Sequence, residues 1–300
     1  MALSTRLIKS RIRSIKNTRK ITKAMELVAA SKMRKSVQLT VASRAYAGTL
    51  GEVVDDVRTM VRESSHVFLS AASAPTTSLV IVASSDRGLC GAFNAQVLKK
   101  TFEFLRERRE RTLKIVTVGK RAEQGVRRAG YSLVAAFEAI SNAPSFERIR
   151  PLAELAAAEF REGRVDRVFV VTTDYRSALS QVPRVFQLLP MIPEQELAKR
   201  DGAARAEIEE EEAYDHVMFE PSPSGVLDEL LPRVLETRLY QALLESSSSE
   251  HASRMMAMRS ATDSASTMLE DLTLTFNQAR QASITREISE ISAGKAALET

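Results

Sequence analysis

The sequence predicts an α/β protein whose long N- and C-terminal helices pair as an antiparallel coiled coil, with an α/β domain between them in the chain. Three observations predict this class. Residues 1–47 contain neither Gly nor Pro, residues 233–293 contain neither, and the segment between them alternates short β-branched runs with helical stretches. Aromatic residues make up 5% with no Trp, which fits long helices that have little core of their own.

The N-terminal segment, residues 1–60, has apolar residues at helical spacing. Thr18 fills one step of a predicted apolar stripe that otherwise consists of Ile8, Ile12, Ile15, Ile21, Met25 and Val28. Gly48 and Gly51 weaken the helix without ending it, because the helical pattern resumes after them. At about 1.5 Å per residue, such a helix is about 80 Å long, so it has to project or pair with another long helix.

The middle segment, residues 75–220, alternates two kinds of element. Short β-branched runs predict strands at 78–85, 113–119, 167–174 and 181–190, and helical patterns occupy 92–110, 121–130 and 145–163. Strand and helix in alternation predict a Rossmann-like domain with a largely parallel sheet, whose strand order stays open. An acidic run, Glu207 with Glu209–Glu212, follows and is interpreted as a solvated loop.

The C-terminal segment, residues 225–300, follows a turn-rich boundary at 219–225. Its apolar residues keep mostly helical steps at Leu235, Leu239, Leu243, Met255, Met258, Thr262, Ala265, Leu269, Leu272, Phe276, Ile284, Ile288 and Ile291. Pro232 falls early enough to kink the first turns. Pairing this helix antiparallel with the N-terminal one would bury both stripes.

Charge is concentrated in the N-terminal segment. The net charge is +5, and the first fifty residues carry a single acid, Glu26, against the cations Arg6, Lys9, Arg11, Arg13, Lys16, Arg19, Lys20, Lys23, Lys32, Arg34, Lys35 and Arg44. A basic arm indicates nucleic acid, an anionic membrane surface or an acidic protein as partner. The cations surround the helix and no aromatic residue precedes Tyr46 for base stacking, so an acidic protein is favoured.

The sequence suggests neither a membrane-spanning helix nor a secretory signal. The chain has no uninterrupted apolar run of about 18 residues, so we expect no transmembrane helix. The first residues lack an apolar signal region, and the basic pattern runs into the helix without a break, so we interpret it as mature protein and not as a transit peptide.

No catalytic or metal centre is predicted. Cys90 is the single cysteine, which excludes an intramolecular disulfide, and the three histidines have no metal-ligand spacing. Asp86, Asp166 and Asp174 do not form the pairs that acid–base chemistry uses. The stretch SSDRGLCGAFN, residues 84–94, is interpreted as a strand-to-helix turn in which Gly88 or Gly91 has a positive φ. An enzyme that binds a nucleotide at this turn is a second hypothesis, and a nucleic-acid-binding coiled coil is a third.

Long blocks of the sequence resemble the gamma subunits of F-type ATP synthases. They are residues 15–35, 84–94, 219–246 and 250–291. The resemblance implies a non-catalytic rotor shaft without a cofactor. It implies as partners a hexamer of alpha and beta subunits, an epsilon subunit and a membrane ring of c subunits. It implies neither nucleic-acid binding nor a membrane contact other than through the ring. Within this family, the lack of a clear transit peptide and of the chloroplast redox insert favours the cytoplasmic face of a bacterial inner (plasma) membrane.

The resemblance also implies contact residues. Met25, Arg254, Gln281 and Thr285 match family positions that contact the hexamer, and Phe219 and Glu220 match positions that contact the c-ring. Met25 and Phe219 could instead be residues of the seam or core, and Arg254 and Gln281 could be solvated surface. The lone Cys90 excludes the cysteine-pair redox switch of chloroplast members, and no mechanism is assigned to Glu207–Glu212.

Overall fold

A computed structural model describes residues 5–60, 66–70, 72, 74–108, 112–191 and 222–298. Within these ranges the structure has five α-helices and five strands. In chain order they are α1 (Thr5–Met60), β1 (Thr77–Ala83), α2 (Phe93–Glu107), β2 (Thr112–Val118), α3 (Lys120–Arg128), β3 (Leu133–Phe137), α4 (Phe146–Arg161), β4 (Arg167–Tyr175), β5 (Gln181–Leu189) and α5 (Pro223–Leu298). The chain divides into two compact units. Unit 1 comprises Met1–Ala30 and Arg254–Thr300, and unit 2 comprises Ser31–Ser253.

Unit 2 contains a five-stranded sheet of order β3-β2-β1-β4-β5. The β3–β2, β2–β1 and β1–β4 pairs are parallel, and β5 returns antiparallel to β4. The predicted α/β class with a largely parallel sheet is confirmed. β3 was not predicted, because Leu133–Phe137 has two alanines and one β-branched residue, too weak a pattern for a strand.

The sheet of unit 2 is covered on both faces. On one face, Val80, Val82 and Ile115 pack against Val97 of α2 and Val126 of α3. The other face packs against α4, the C-terminal part of α1 and the first half of α5. Strands buried on both faces are continuous apolar runs, which is why SLVIVA in β1 has no alternation.

The first half of α5 presents a ladder of leucines to this second core. The five residues are buried and recur every fourth position: Leu227, Leu231, Leu235, Leu239 and Leu243. A four-residue step keeps side chains close to one face of an α-helix. The ladder therefore anchors α5 to unit 2 by apolar contact.

The buried seam of α1 differs from the predicted stripe within unit 1. Ile8 is buried and Ile12, Ile15 and Met25 are half-buried, as predicted. Ile21 and Val28, however, are 61% and 57% exposed, while Thr22 and Ala29 are buried in their place. The seam alternates four- and three-residue steps from Ile8 to Ala29 through half-buried Arg19 and Glu26, and this heptad spacing is the coiled-coil pattern. The prediction followed large apolar residues, whereas the helix buries the small side chains of Thr22 and Ala29.

The predicted stripe of α5 is also wrong near its end. Met258 and Ala265 are buried and Leu269, Leu272 and Phe276 are half-buried, so the stripe holds to that point. Every side chain from Arg280 to Gly294 is exposed, including Ile284, Ile288 and Ile291 at 48%, 60% and 73%. None of the described helices combines the length and apolar character needed to cross a bilayer.

Candidate functional site

The turn after β1, residues 84–94, is held by its own side chains. The Ser85 N–H donates to Asn94 Oδ1 at 3.1 Å, and the Ser85 hydroxyl donates to the Arg87 carbonyl at 2.6 Å. Asn94 Nδ2 donates to Cys90 Sγ at 3.0 Å. The interior that a phosphate would occupy in a nucleotide loop is thus filled by Asn94 and the buried Cys90.

The same turn is tied to the start of α3. The Ser84 hydroxyl accepts the Ala122 N–H at 2.6 Å, and Asp86 accepts the Lys120 N–H at 3.3 Å. A Cβ on Gly119, whose φ is +92°, would lie 2.4 Å from the Ser84 carbonyl oxygen, so this position requires glycine. The N–H groups at the start of α3, which could otherwise bind an anion, already have protein acceptors.

Of the two glycines in the turn, Gly91 has the positive φ, 57°. Leu89 also has a positive φ, 62°, and its side chain is 62% exposed. A non-glycine residue in the left-handed region costs energy, so it persists where the surrounding structure fixes it. The turn thus presents a rigidly held apolar side chain to solvent. The motif showed the turn, and no sequence signal marked Leu89.

A polar stretch of α5 lies over the carboxyl ends of β1 and β4. We call residues 241–253 of α5 the polar seat. Three backbone carbonyls take part: Thr172 Oγ1 donates to the Ala242 carbonyl at 3.0 Å, Ser249 Oγ to the Thr173 carbonyl at 3.2 Å, and Ser253 Oγ to the Cys90 carbonyl at 2.7 Å. In doubly wound sheets the ligand crevice lies at the carboxyl ends of the strands where the strand order reverses, here between β1 and β4. In unit 2 the chain's own helix occupies that place.

The polar seat also contacts α1 within unit 2. Ser36 Oγ lies 3.2 Å from Ser247 Oγ, and Thr40 Oγ1 lies 3.4 Å from Ser248 Oγ. Both contacts are buried, and the pairing of Ser36 with Ser247 and of Ser43 with Gln241 shows that the helices run antiparallel here. Small side chains allow the two backbones to approach closely.

Glu245 connects three elements at the polar seat. Its Oε1 lies 3.1 Å from Arg44 Nη2 of α1 and accepts from Gln241 Nε2 at 3.1 Å. Its Oε2 lies 3.7 Å from Arg184 Nη2 of β5, and Arg184 Nε in turn lies 2.5 Å from Asp174 Oδ1 of β4. The Glu245 side chain is 8% exposed.

In this cluster the pKa of the Asp174 carboxyl group is raised above its ordinary value. Burial raises its pKa, the nearby Glu245 carboxylate raises it further, and the guanidinium of Arg184 opposes both. The sequence did not reveal the pairing of Asp174 with Glu245, because the two residues lie 71 positions apart on different elements. The polar run ESSSSEH inside an apolar helix was the one available signal.

Unit 1 contains all four residues for which the family resemblance implies hexamer contact. Met25 and Arg254 are half-buried, and Gln281 and Thr285 are exposed. Within this unit Thr262 Oγ1 donates to Thr22 Oγ1 at 2.8 Å, linking α5 to α1. Phe219, Glu220 and the acidic run Glu207–Glu212 lie outside the described residues.

The two helical segments of unit 1 differ in charge. Residues 5–30 of α1 carry eight Lys or Arg and one acid, and seven of those cations are exposed: Arg6, Lys9, Arg11, Arg13, Lys16, Lys20 and Lys23. Residues 254–294 of α5 carry four Arg and five acids. A basic surface on one helix beside a balanced one favours an acidic macromolecular partner for the α1 side.

Comparison with known proteins gives the chain a family. The ATP synthase family model (ATP-synt) matches residues 4–298. The ATP synthase gamma chain of Heliobacterium modesticaldum is 40% identical over 291 residues, which cover 97% of this chain and 98% of that protein. The gamma chain of Chlorobaculum tepidum is 37% identical over 297 residues, with 97% and 98% coverage.

Solved structures agree on the fold. The central stalk and c-ring structure of the Tetrahymena thermophila mitochondrial ATP synthase contains a chain that is 28% identical, with a TM-score of 0.59 over 80% of this chain and 99% of that chain. A chain of the Euglena gracilis mitochondrial enzyme shares the fold at 21% identity, with a TM-score of 0.66 over 98% of this chain and 94% of that chain. With a family model over nearly its whole length and close relatives of the same extent, the chain belongs to the ATP synthase gamma chain family.

Proposed function

We propose that this chain is the central rotor shaft of an F-type ATP synthase and has no catalytic site or cofactor of its own. In this role it passes the rotation of a membrane c-ring, driven by proton flow, to the hexamer of alpha and beta subunits that makes or hydrolyses ATP. The observation that carries the proposal is the exposed end of α5, where Ile284, Ile288 and Ile291 recur at four- and three-residue steps in a run of exposed side chains.

An apolar face without cover within its own unit indicates a partner surface. A helix end that rotates inside the hexamer needs apolar contact and few hydrogen bonds, because each hydrogen bond would have to break on every turn. The exposed isoleucines of α5 have this character. The exposed cations of α1 supply the complementary, longer-range attraction to acidic groups of the hexamer.

Under this proposal, residues 1–60 and 225–300 form the shaft and residues 75–220 form the foot. Met25, Arg254, Gln281 and Thr285 contact the alpha and beta subunits, and all four belong to unit 1. Phe219 and Glu220 contact the c-ring, and the epsilon subunit binds the foot. The chain then works at the cytoplasmic face of a bacterial plasma membrane, reaches the membrane only through the c-ring and binds no nucleic acid.

Coupling in such a machine is a free energy shared between sites. The shaft favours a different conformation at each catalytic site because it presents a different face to each, and rotation exchanges those preferences. The charge difference between α1 and α5 in unit 1 gives the shaft the angular asymmetry that this requires.

Native mass spectrometry tests the proposal directly. The purified chain is mixed with alpha and beta subunits of a related bacterial enzyme. We expect one copy per hexamer and a rise in ATPase activity on assembly. Partners that form active complexes with their own gamma chain but none with this one would contradict the proposal.

Two binding measurements on the isolated chain separate the alternative functions. Saturable binding of ATP or NAD would favour an enzyme, and we expect none because α5 occupies the crevice. Binding of duplex DNA that weakens steeply with salt would favour a nucleic-acid-binding coiled coil.

A further inference from the structure

The leucine ladder of α5 does not by itself fix the position of the helix on the sheet. Leu227, Leu231, Leu235, Leu239 and Leu243 are identical side chains spaced four residues apart, and all are buried in one core. Sliding α5 by four residues places each of four leucines where another one stood. Apolar contacts are non-directional, so the ladder by itself discriminates weakly between the two registers.

Such a slip is large in mechanical terms. Four residues of α-helix correspond to about 6 Å along the axis and about 40° of rotation beyond a full turn. Because the proposed function passes rotation through this helix, an error of that size would change the angle at which the shaft presents its surface.

The polar seat discriminates between registers where the ladder does not. A four-residue shift would bring Gln241 or Ser249 to the position of Glu245, and neither side chain carries the charge that meets Arg44 and Arg184. It would also separate Ser249 from the Thr173 carbonyl and Ser253 from the Cys90 carbonyl. Hydrogen bonds are directional, and an ion pair requires the charged residue at that position, so together they specify one alignment.

We propose that Glu245 is a positioning residue that locks the register of α5 against both α1 and the sheet. Among the described residues, the Glu245 carboxylate is the group that lies close to both a guanidinium of α1, Arg44, and a guanidinium of β5, Arg184. A single charged residue that fixes register at some expense of stability is known from coiled coils. The consequence for coupling rests on the proposed function, whereas the register itself does not.

Disulfide trapping in the isolated full chain reads the register. Ser36→Cys with Ser247→Cys reports the native alignment, because the two hydroxyl oxygens are 3.2 Å apart. Lys32→Cys or Thr40→Cys, each combined with Ser247→Cys, reports α5 displaced by one helical turn in either direction. We expect Glu245→Ala to lower the yield of the native cross-link and to raise one displaced cross-link, each by about threefold, the size of change typical for residues that carry coupling. An unchanged pattern would overturn the proposal.

A second arm tests the consequence in the assembled enzyme, by the ratio of protons pumped to ATP hydrolysed in vesicles. We expect Glu245→Ala to lower this ratio by about threefold. Glu229→Ala, the same change at an exposed acid of the same helix, is the matched control and should leave the ratio unchanged. An oxidised Ser36→Cys/Ser247→Cys bridge should restore the ratio in the Glu245→Ala background.

The outcomes separate the two proposals. If the wild-type chain neither assembles nor supports pumping, the proposed function fails while the trapping result still decides the register. If Glu245→Ala lowers assembly, hydrolysis and pumping in parallel with an unchanged trapping pattern, Glu245 serves stability alone and the register proposal is wrong.

Discussion

The two ends of α5 are built from similar residues and meet opposite surroundings. In unit 2, Leu231 and Leu239 are fully buried against the sheet and its neighbours. In unit 1, Ile288 and Ile291 recur on the same helix at similar spacing and remain 60% and 73% exposed. Apolar periodicity therefore predicts a surface suited to burial, but it does not indicate whether the same chain buries that surface.

A matched pair of truncations should show this difference most strongly. Leu239→Ala removes buried atoms and leaves a cavity, so we expect it to lower the free energy of unfolding by about 3 kcal/mol. Ile288→Ala removes exposed atoms and should change it by no more than about 0.5 kcal/mol. Denaturant unfolding of the isolated chain, followed by circular dichroism, measures both. Equal effects of the two changes would remove the distinction between the ends.

Assembly should depend strongly on the exposed end of α5, although that end contributes little to the stability of the isolated chain. Deleting residues 285–300 removes Ile288 and Ile291, each worth about 1.5–3 kcal/mol if a partner buries it, so we expect assembly to weaken by about tenfold or more. Lys20→Gln, which neutralises one exposed cation of α1, should weaken it by less than about twofold. Titration of the chain into alpha and beta subunits measures both variants. A larger effect of the lysine change would assign the interaction to charge.

The half-buried Met25 provides a finer test of the unit 1 surface. We expect Met25→Lys to lower the ratio of proton pumping to ATP hydrolysis by about threefold while hydrolysis itself is largely kept. Thr18→Lys adds the same charge at an exposed position of the same helix and is the control. Normal pumping by the Met25→Lys enzyme would remove Met25 from the contact surface.

The last expected effect concerns the stability of unit 2 and involves a single half-buried carboxylate, Asp166. Burial opposes ionisation of Asp166, but the N–H groups of Thr76 and Thr77, at 2.7 and 2.9 Å, hold its pKa below the ordinary 3.8. A lowered pKa stabilises the folded state above pH 3.8, and that stability is lost as pH falls through the lowered value. Asp166→Asn should therefore cost about 1 kcal/mol at pH 7.

The pH dependence of the stability difference between the wild type and Asp166→Asn tests this prediction. Unfolding of the wild type and of Asp166→Asn at several pH values should give curves that converge as pH falls well below 3.8. A difference that stayed constant with pH would mean that the charge of Asp166 contributes nothing.

Much of the fold could be predicted because its signals are local. Continuous β-branched runs marked β1, β2 and β4, and the absence of Gly and Pro marked both terminal helices. β3 escaped because Ala135 and Ala136 gave it no strand pattern. The seam of α1 was displaced at Ile21 and Val28, because the alternating four- and three-residue steps run through Arg19 and Thr22, which periodicity of apolar residues cannot find.

The candidate site was less accessible to sequence reasoning. The turn at residues 84–94 was recognised as a motif, but what covers it depends on α5, more than 150 residues away. Glu245 acquires its role only when Arg44, Arg184 and Asp174 converge on it, and no local pattern brings together residues from four elements. The contacts assigned to Met25, Arg254, Gln281, Thr285, Phe219 and Glu220 stay predictions.

The exposed isoleucines of α5 also make unassembled copies of this chain prone to aggregation. A copy made in excess of its partners keeps Ile284, Ile288 and Ile291 in water. Such a face attracts other apolar surfaces, including those of further surplus copies. Synthesis matched to that of the partner subunits, with prompt proteolysis of unassembled copies, is then a condition for keeping the cell free of aggregates of this chain.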